Sequence, residues 1–545
     1  MKIFTLSLFG LLLFSFCLRS QERVVLSNDR DIYIAGEELW FNVVLLHGQS
    51  NHVSDMSKVV YVELMNGAGV PVVQSKLRLL EGCATSKLSL PDTLTTDNYL
   101  LRAYTRWMIN YPVSCYAHNL VSVVNPFLKG SLPAVDAPER LKPDLSPETS
   151  DLRFARRQKV SLPVPQQVKA WEHVSVSVVK SSLYCGNSVQ ASDKKLNSEP
   201  VGALLPPELR SEILKAIVFD GNTGLPVQGE KYMLGFVSQN PDLIFATSDK
   251  EGVLRFEVDR YGTEEMVIQP YNTDTTKLQY NVKVEDQFSH QYAAFDLPPL
   301  AFDSVTIEGV NEAIINMQIN TLYAAHYPKL AEADSIEKQS SFYGTPENTV
   351  LIDRYIELPN TEELIREILP YVSLRKSQGQ YEIKVFEQTS LYPKEGKTMT
   401  FVDGVAINDV ARILTMDPSY FERIEVINLN YYLEDENLGR LVNFITRQGD
   451  MGDLEFDQRI FRQVHQGYLN AWQYLGPDYT LKEVKHSRLA DFRNLLYFGQ
   501  LKREGGDLAD VTFFTGDEAT NYTVVFQGVN SEGFKEIVSR RFSVE

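Results

Sequence analysis

The chain has 545 residues, a formal net charge of −18, and hydrophobic and charged fractions of 43% and 23%. This length exceeds what one hydrophobic core usually serves and predicts several domains, about three to five. The acidic balance argues against nucleic acid as a partner, because binding phosphates requires a basic surface. Aromatic residues make up 11% of the chain, and period-two alternation recurs along it, which favours β-rich domains.

Residues 1–20 have the pattern of a signal peptide. Lys2 supplies a positive charge, and the apolar run that follows is shorter than the roughly 20 residues of a membrane-spanning helix. We expect cleavage after Ser20. Cys17 raises a lipoprotein alternative, although Phe16 stands where a lipobox requires a small residue. No later run is apolar enough to cross a bilayer. The sequence therefore predicts an exported mature chain without a transmembrane segment, in the periplasm or associated with the outer membrane.

Residues 21–127 are predicted to form one β-sandwich domain, because strand-like runs recur with turns about every ten residues. Two stretches resemble the second macroglobulin domain (MG2) of bacterial alpha-2-macroglobulin-like proteins. In that family D-R-x-x-Y-x-x-G-E opens the domain and Y-x-L-R-A-Y-T closes it. The resemblance implies a macroglobulin-like sandwich here. The residues that fit this frame are Arg30, Tyr33, Gly36, Glu37, Arg102 and Tyr104.

Residues 128–205 are predicted to be a linker followed by a second, weaker sandwich. The linker is rich in Pro, Ser and Asp. A strand is predicted from Gln158 to Pro163, and the stretch from His173 to Lys180 alternates in the way of a half-buried strand.

Residues 206–287 contain the pattern of the carboxypeptidase-regulatory-like β-sandwich, with a strand, a Gly-rich turn and a further alternating strand. The family's first Gly is replaced by Lys215 or Ala216. In that family the domain is a structural appendage, so the resemblance implies no peptidase activity. The matching residues are Phe219, Asp220, Thr223, Gly224, Pro226, Val227, Asp249, Gly252 and Phe256.

Residues 288–350 are predicted to be a helical connector. Ile315, Ile319 and Leu322 recur at helical spacing and predict a helix between Asn311 and Ala325. A second helix is predicted after Asn360, which is a good N-cap residue with Glu363 three positions on.

Residues 351–450 are predicted to be a small α+β domain. A strand from Thr400 to Val402 ends in the turn Asp403-Gly404, and a short helix carries Val410, Ile413 and Leu414. Strands follow from Ile424 to Ile427 and from Leu441 to Thr446. This order resembles the plug domain of TonB-dependent outer-membrane receptors. The family's turn Pro is replaced by Ala406. The matching stretches are Asp403 to Ile407, Asp417-Pro418 followed by Glu422 to Val426, and Val442 to Thr446.

Residues 451–545 are predicted to be a C-terminal β-domain. The predicted fold class is mainly β: a string of β-sandwich domains, macroglobulin-like or immunoglobulin-like, with one small α+β plug-like domain. The whole order of domains resembles a family of exported proteins of Bacteroidetes-type bacteria that has no assigned chemistry.

The usual catalytic and metal-binding patterns are incomplete or missing in the sequence. A thioester needs a Gly-Cys-Gly-Glu-Gln loop, of which Gly82-Cys83-Ala84 is a fragment. None of the eight histidines lies four positions from another on a predicted helix, and His47 and His52 flank a loop. Asp220 to Gly224 holds part of a calcium-loop pattern. No G-x-S-x-G elbow or P-loop occurs. We therefore predict no enzyme activity, cofactor or metal.

Two kinds of covalent modification remain open. Cys83 and Cys115 lie in one predicted domain and could pair in an oxidising compartment, or be two buried thiols on strands. Short Asp-Ser/Thr triplets, which can be O-glycosylated in exported proteins of such bacteria, place candidate sites at Thr93, Thr275, Ser304 and Ser335.

The function predicted from these patterns is that of a non-enzymatic binding or scaffold protein at the periplasmic side of the outer membrane. Its expected partner is a protein, with a TonB-dependent transporter or another barrel as candidates. Trp107 and the pair Tyr431-Tyr432 could contact a protein or glycan, or pack internally. The alternatives are a ligand-capturing accessory of nutrient uptake, and a macroglobulin-type peptidase inhibitor or cell-envelope enzyme.

Overall fold

A computed structural model describes the chain from residue 21 to residue 545, except for 49, 51, 129–151, 187–199, 201–203, 272–278, 292–296, 324–340, 356–357, 378, 388–396 and 458–459. The signal-peptide prediction therefore lies outside the described residues. The chain divides into two compact units. The first unit comprises 1–211, 288–336 and 468–545, and the second comprises 212–287 and 337–467. Among the described helices, none is both long enough and apolar enough to cross a membrane.

Strands dominate both units, as the composition predicts. Those of the first half are β1 (Glu22–Asn28), β2 (Ile32–Ile34), β3 (Glu38–His47), β4 (Val59–Met65), β5 (Pro71–Arg78), β6 (Cys83–Ser89), β7 (Asp97–Tyr104), β8 (Ala117–Val124), β9 (Arg153–Phe154), β10 (Lys159–Leu162), β11 (Glu172–Lys180), β12 (Glu212–Asp220), β13 (Lys231–Phe236), β14 (Leu243–Thr247), β15 (Val253–Val258), β16 (Thr263–Pro270) and β17 (Tyr280–Val284). Those of the second half are β18 (Asn348–Leu351), β19 (Val372–Ser377), β20 (Gln380–Val385), β21 (Thr398–Val402), β22 (Val405–Ala406), β23 (Phe421–Leu433), β24 (Glu436–Thr446), β25 (Phe461–Gln466), β26 (Tyr468–Leu469), β27 (Leu495–Gln500), β28 (Arg503–Glu504), β29 (Asp507–Leu508), β30 (Val511–Phe514), β31 (Asn521–Val529) and β32 (Lys535–Val544).

Helices are fewer and mostly short. The α-helices are α1 (Ser304–Leu322), α2 (Thr361–Glu367), α3 (Val410–Leu414) and α4 (Lys482–Lys485). The 3₁₀ turns are Trp107–Asn110, Val113–Cys115, Val168–Ala170, Ser181–Leu183, Ile352–Arg354 and Pro418–Tyr420.

The first sandwich contains the strands β1 to β8 and also β26, which comes from outside the predicted range 21–127. Its two sheets have the strand orders β1-β3-β6 and β2-β8-β7-β4-β5-β26. The predicted hairpin at Asn66-Gly67-Ala68-Gly69 joins β4 to β5. Every side chain of β4 and β8 is buried, because other parts of the unit cover the sheet face that points away from the sandwich core.

The second sandwich is assembled from two distant parts of the chain. Its main sheet has the order β27-β11-β31-β32-β9, and β10 pairs with β30. Val176 and Val178 of β11 share one core with Val524 and Phe526 of β31. The sequence predicts two domains here, at 128–205 and 451–545, whereas the structure has one sandwich built from both. A strand buried on both faces needs a neighbour on each edge, and both neighbours of β11 come from the end of the chain.

Helix α1 belongs to the first unit and begins earlier than predicted. Asp303 caps it by accepting a hydrogen bond from the backbone N–H of Thr306 at 2.7 Å. The buried face carries Val310, Ala313 and Met317, which pack against side chains from both sandwiches of the unit. Ile315 and Leu322, which predicted the helix, lie on its exposed face.

The second unit combines a sandwich with a five-stranded sheet. The sandwich has the strand orders β15-β12-β17 and β14-β13-β16-β25, and the sheet has the order β18-β23-β24-β21-β22. Met233 and Leu243 of the sandwich share a core with Phe401 and Leu441 of the sheet. The sequence predicts the strand–helix–strand–strand order of this sheet, but β23 and β24 are longer than predicted. The extra residues form the far end of their hairpin.

Candidate functional site

The opening motif of the first sandwich forms a buried polar network. The Asp29 carboxylate accepts a hydrogen bond from the Tyr33 hydroxyl at 2.8 Å, and the Arg30 guanidinium lies 4.8 Å from the Tyr33 ring centre. Arg30 donates to Glu37 at 2.9 Å, and Glu37 also accepts from the side-chain amide of Asn494 at 3.0 Å. Burial raises the pKa of Asp29 to about 6 against the opposing effect of the Arg30 charge. These motif residues stabilise the fold.

The closing motif anchors a returning segment of the chain. Arg102 donates to the Glu63 carboxylate at 2.6 Å and to the carbonyl oxygens of Ser289 and Gln291 at 3.0 and 2.9 Å. The Tyr104 hydroxyl accepts from the backbone N–H of Ser289 at 2.8 Å. Glu63 and Arg102 are fully buried. Of the residues that carry the macroglobulin resemblance, Arg30, Tyr33, Arg102 and Tyr104 are thus buried and make their contacts within the domain.

An aromatic stack extends this network across the sheet. The rings of Tyr61, Tyr104 and Tyr116 are stacked, with centres 5.6 and 4.5 Å apart. Burial raises the pKa of Tyr116 to about 12. Burial, together with the positive charge of Arg102, lowers the pKa of His118 to about 4. His118 is therefore neutral at physiological pH, which matches its place in the interior of the domain.

Cys83 and Cys115 are thiols in the structure, and no disulfide joins them. Cys83 begins β6 and Cys115 ends a 3₁₀ turn. Burial raises the pKa of the Cys83 thiol, whose sulfur accepts from the Gln500 amide at 4.0 Å. The Gly before it has a packing role: Gly82 has φ +70°, and an added Cβ would lie 2.0 Å from a Val53 methyl.

In the two loops that the sequence raised as possible metal sites, the residues form hydrogen bonds with one another. The Asp220 carboxylate accepts from the backbone N–H groups of Asn222 and Thr223 at 3.0 and 2.7 Å and from the Thr223 hydroxyl at 2.9 Å, a self-contained turn. The His47 backbone N–H donates to the His52 carbonyl at 2.9 Å across their loop. In the part of the chain that the structure describes, no three His, Cys, Asp or Glu side chains converge as metal ligands.

The candidate glycosylation sites divide into two groups. Thr93 and Ser304 are exposed, with Ser304 at the first position of α1. Thr275 and Ser335 lie outside the described residues. Glycosylation stays a prediction, which intact-mass measurement of the exported protein tests: a mass excess that falls on Thr93→Ala or Ser335→Ala supports it, and an unmodified mass contradicts it.

The Asp403-Gly404 turn is confirmed as a structural element. Asp403 and Gly404 have φ values of 42° and 84° and connect β21 to β22. The buried Asp403 carboxylate accepts from the backbone N–H groups of Thr446 and Met451 at 2.7 Å each. An added Cβ on Gly404 would lie 2.5 Å from Cβ of Pro241. The turn therefore connects three segments of the second unit, and both oxygens of the Asp403 carboxylate accept hydrogen bonds there.

One exposed feature of the second unit is the far end of the β23–β24 hairpin, residues 427–437, which we call the hairpin end. β18 pairs with Arg423 to Val426 of β23. Beyond Val426, no described strand pairs with the outer edge of β23. Leu429 and Tyr432 are 50% and 62% exposed. Within the described part of the chain, the hairpin end thus has a strand edge without a paired neighbour, together with exposed apolar side chains.

Two amide side chains lie where this open edge begins. Asn428 is buried, yet neither its Nδ2 nor that of Asn348 has an acceptor among the described residues. Asn348 pairs with Val426, so the period of two places Asn348 and Asn428 on one face of the sheet. The backbone N–H of Asn428 donates to the Glu347 carboxylate at 3.1 Å. At the start of this edge of β23, the Glu347 carboxylate therefore occupies the position where a neighbouring strand would present a carbonyl oxygen.

The hairpin end is also acidic. Glu434 and Asp435 are exposed in its turn, and Glu436 pairs with Lys231. The sequence from Ile424 to Gly439 contains no Lys or Arg.

Sequence reasoning found only part of this site. It singled out Tyr431 and Tyr432, and the structure separates them: Tyr431 packs against Phe342, whereas Tyr432 is exposed. Trp107 is half-buried, with its ring centre 6.2 Å from that of Tyr111. The asparagines at 348 and 428 were missed. The sequence signal was that Asn428 and Asn430 stand in step with the buried Ile424 and Val426, where the pairing of β23 with β24 shifts register.

No protein-family model and no curated protein matches this sequence. Solved structures with similarity to it include alpha-2-macroglobulin of Salmonella reacted with methylamine, at 9% identity and a TM-score of 0.24, covering 96% of this chain and 39% of the other. The native conformation of Escherichia coli alpha-2-macroglobulin has 10% identity and a TM-score of 0.24, covering 97% and 40%. The E. coli protein activated by porcine elastase has 9% identity and a TM-score of 0.23, covering 96% and 44%.

This chain spans about two fifths of the length of those structures. At TM-scores this low the similarity carries no conclusion about activity or partners. The assignment to the mainly-β class rests on the strands and sheets of the chain itself.

Proposed function

We propose that this protein is a non-catalytic binding scaffold, exported to the periplasmic side of the outer membrane, and that it engages a protein partner through the hairpin end. The observation that carries the proposal is the combination found there. Among the described residues, no strand pairs with the outer edge of β23 beyond Val426, and two apolar side chains, Leu429 and Tyr432, are exposed beside that edge.

Proteins usually protect such an edge, since it can pair with another chain. Charges on the edge, proline, or a covering loop are the common means. Here the strand side chains between Ile427 and Leu433 are uncharged. A strand edge of a folded unit that carries no charged side chains is suited to pairing with a strand of another protein.

The sheet behind the hairpin end is firmly built. Phe401 and Leu441 of its strands share a core with the sandwich of the same unit, and the Asp403 turn is bonded to Thr446 and Met451. A rigid support lowers the entropy lost on binding, because the contacting residues are already ordered.

Site-directed photocrosslinking in cells tests the proposal. A photoreactive phenylalanine derivative in place of Tyr432 is expected to crosslink to an outer-membrane protein. The matched control carries the same group in place of Val464, which is 65% exposed on β25 of the same unit. Recovery of soluble monomer alone from position 432, or equal crosslinking from both positions, contradicts the proposal.

A further inference from the structure

We propose that the β4–β5 hairpin carries a site of spontaneous covalent modification, at which Asn66 of the folded protein loses ammonia to the backbone nitrogen of Gly67 and becomes aspartate or isoaspartate. This inference is independent of the proposed function. It is carried by three observations: a turn that recurs in the chain, a glycine that this turn does not need, and an exposed backbone N–H group next to the asparagine.

The turn at Asn66 is built around its own side chain. Asn66 Oδ1 accepts from the backbone N–H groups of Ala68 and Val70 at 3.0 and 2.9 Å. The Asn66 backbone N–H donates to the Val70 carbonyl, and its carbonyl accepts from Gly69, at 2.9 Å each. These bonds hold the side-chain amide over the turn. Because negative charge builds on Oδ1 when a nucleophile adds to Cγ, the two N–H groups also favour that step.

Two other turns of the chain, which begin at Asp249 and Asn530, have the same hydrogen bonds. In each, Oδ1 of the first residue accepts from the backbone N–H groups two and four positions on, at 3.0 and 2.9 Å. The fourth residue of the three turns is Gly69, Gly252 or Gly533, with φ of 76°, 74° and 88°. This position requires glycine, because other residues avoid such backbone angles. The turn at Asp249 shows that a carboxylate can replace the amide at the first position.

The second position of the turn does not require glycine. Lys250 and Ser531 occupy it in the other two turns. Gly67 has a φ outside the left-handed region, and no atom lies within 4 Å of an added Cβ. The turn would therefore form equally well with a side chain at residue 67. The effect of Gly67 is chemical, because the missing Cβ allows another group to approach its backbone nitrogen closely.

The backbone nitrogen of Gly67 is accessible in the folded chain. Gly67 is exposed, and no described backbone carbonyl accepts a hydrogen bond from its N–H group. The turn at Asn530 differs in two respects. There the side-chain amide donates to the Glu536 carboxylate at 2.5 Å, and Ser531 places a side chain beside the equivalent nitrogen. Asn530 is therefore an internal comparison in which the same turn is expected to react more slowly.

The reaction consumes water and needs no enzyme. The Gly67 nitrogen bonds to Asn66 Cγ, and its proton passes through water to the side-chain amide nitrogen, which leaves as ammonia. The product is a five-membered imide ring. Water then opens the ring at one of its two carbonyl groups. Opening at Cγ gives aspartate, and opening at the main-chain carbonyl gives isoaspartate, whose backbone runs through Cγ. Either product adds one negative charge at neutral pH.

The two products differ in their effect on the hairpin. Aspartate retains Oδ1 and is expected to keep the turn, as Asp249 does. Isoaspartate adds one carbon to the backbone between residues 66 and 67 and moves the free carboxylate onto Cα. It is therefore expected to lose the bonds from Ala68 and Val70 and to loosen the adjoining ends of β4 and β5.

Peptide mass spectrometry of the folded protein during incubation at neutral pH tests this inference. Conversion is expected to be about tenfold faster at Asn66 than at Asn530, because Gly67 has no side chain to hinder ring closure. An isoaspartate-specific methyltransferase is expected to label the peptide that contains residue 66. Equal conversion rates at the two asparagines, or conversion that appears only after unfolding in urea, overturns the inference.

Two variants supply matched controls. Gly67→Ser copies the second position of the Asn530 turn and is expected to slow conversion at residue 66 by about tenfold, with an unchanged unfolding midpoint. Unchanged conversion in this variant overturns the inference. Asn66→Asp is expected to keep the wild-type unfolding midpoint, and a lower midpoint overturns the claim that aspartate keeps the turn. None of these results depends on crosslinking from position 432, so this inference and the proposed function fail separately.

Discussion

In the first sandwich, Glu63 and Arg102 are buried and their hydrogen bonds are made within the domain, whereas at the hairpin end Asn348 and Asn428 have amide groups without acceptors. Both regions contain polar groups removed from water. Arg102 belongs to the macroglobulin-like motif, and its pairing with Glu63 stabilises the domain. Asn348 and Asn428 belong to no motif and lie where the pairing of β18 with β23 ends. The comparison shows that, in this chain, motif residues such as Glu63 and Arg102 are used inside a domain, whereas the exposed strand end belongs to no motif.

The largest expected effect comes from breaking the satisfied network. Arg102→Ala leaves the Glu63 carboxylate buried without its cation and releases the carbonyl groups of Ser289 and Gln291. We expect a loss of about 3–5 kcal/mol in the free energy of unfolding, measured by urea titration with tryptophan fluorescence. The control, Arg153→Ala, removes an exposed pair with Glu545 and is expected to change stability by less than about 0.5 kcal/mol. Equal losses would contradict the assigned role of Arg102.

A smaller effect is expected at the turn that supports the hairpin. Gly404→Ala combines an unfavourable φ with a clash against Pro241 and should cost about 2–4 kcal/mol. Gly379 is a matched control, because it has the same φ of 84° and no atom within 4 Å of an added Cβ. Gly379→Ala should cost about 1 kcal/mol. Thermal unfolding of both variants measures the difference, and similar shifts would show that the contact with Pro241 is unimportant.

The pH dependence of the first sandwich is expected to be of moderate size. His118 has a folded-state pKa lowered from 6.5 to about 4, so the unfolded chain binds more protons between these values. Its contribution is present above pH 6.5 and is lost as the pH falls toward 4. Through His118 alone, acidification from pH 7 to pH 5 should lower the free energy of unfolding by about 2 kcal/mol, and His118→Gln should abolish this part of the pH dependence.

Protonation of Asp29 changes stability in the opposite direction, so its effect has to be separated from that of His118. Burial raises its folded-state pKa to about 6, so acidification through this range stabilises the fold. Comparing His118→Gln with the wild-type chain at both pH values cancels the Asp29 contribution. An unchanged difference between pH 7 and pH 5 in the variant would show that His118 does not titrate as described.

The smallest effect on stability is expected at the hairpin end. Leu429→Ser and Tyr432→Ser should each change the free energy of unfolding by less than about 0.5 kcal/mol, because both side chains are largely exposed. Leu429→Ser should nevertheless reduce photocrosslinking from position 432 to the partner. The opposite pattern, with lost stability and unchanged crosslinking, would contradict the proposed role of Leu429.

Local sequence patterns predict much of the fold. The strand–turn–helix order from Thr400 to Thr446, the N-cap at Asn360 and the hairpin at Asn66 to Gly69 all appear in the structure. Each is encoded by neighbouring residues, through alternation, capping or turn chemistry. The helix over 311–325 was also predicted, but α1 buries Val310 and Ala313, since the packing of the unit determines which face is covered.

The candidate site is predicted less well. The sequence shows Tyr432 as an aromatic residue beside acidic ones. It does not show that Asn348 and Asn428 are neighbours, because that depends on the pairing of β18 with β23. Those strands lie about 70 residues apart in sequence, and no local pattern indicates where their pairing ends.

The sequence by itself determined the acidic balance, the mainly-β class and the positions of most turns, because these depend on composition and on residues close together in the chain. The tertiary structure decided that β11 pairs with β27 and β31, which makes one sandwich out of two predicted domains. It also decided that Arg30, Tyr33, Arg102 and Tyr104 are buried and that no described strand pairs with the outer edge of β23 beyond Val426. Strand pairing and burial depend on contacts between residues far apart in sequence, so they are settled only when the whole chain packs.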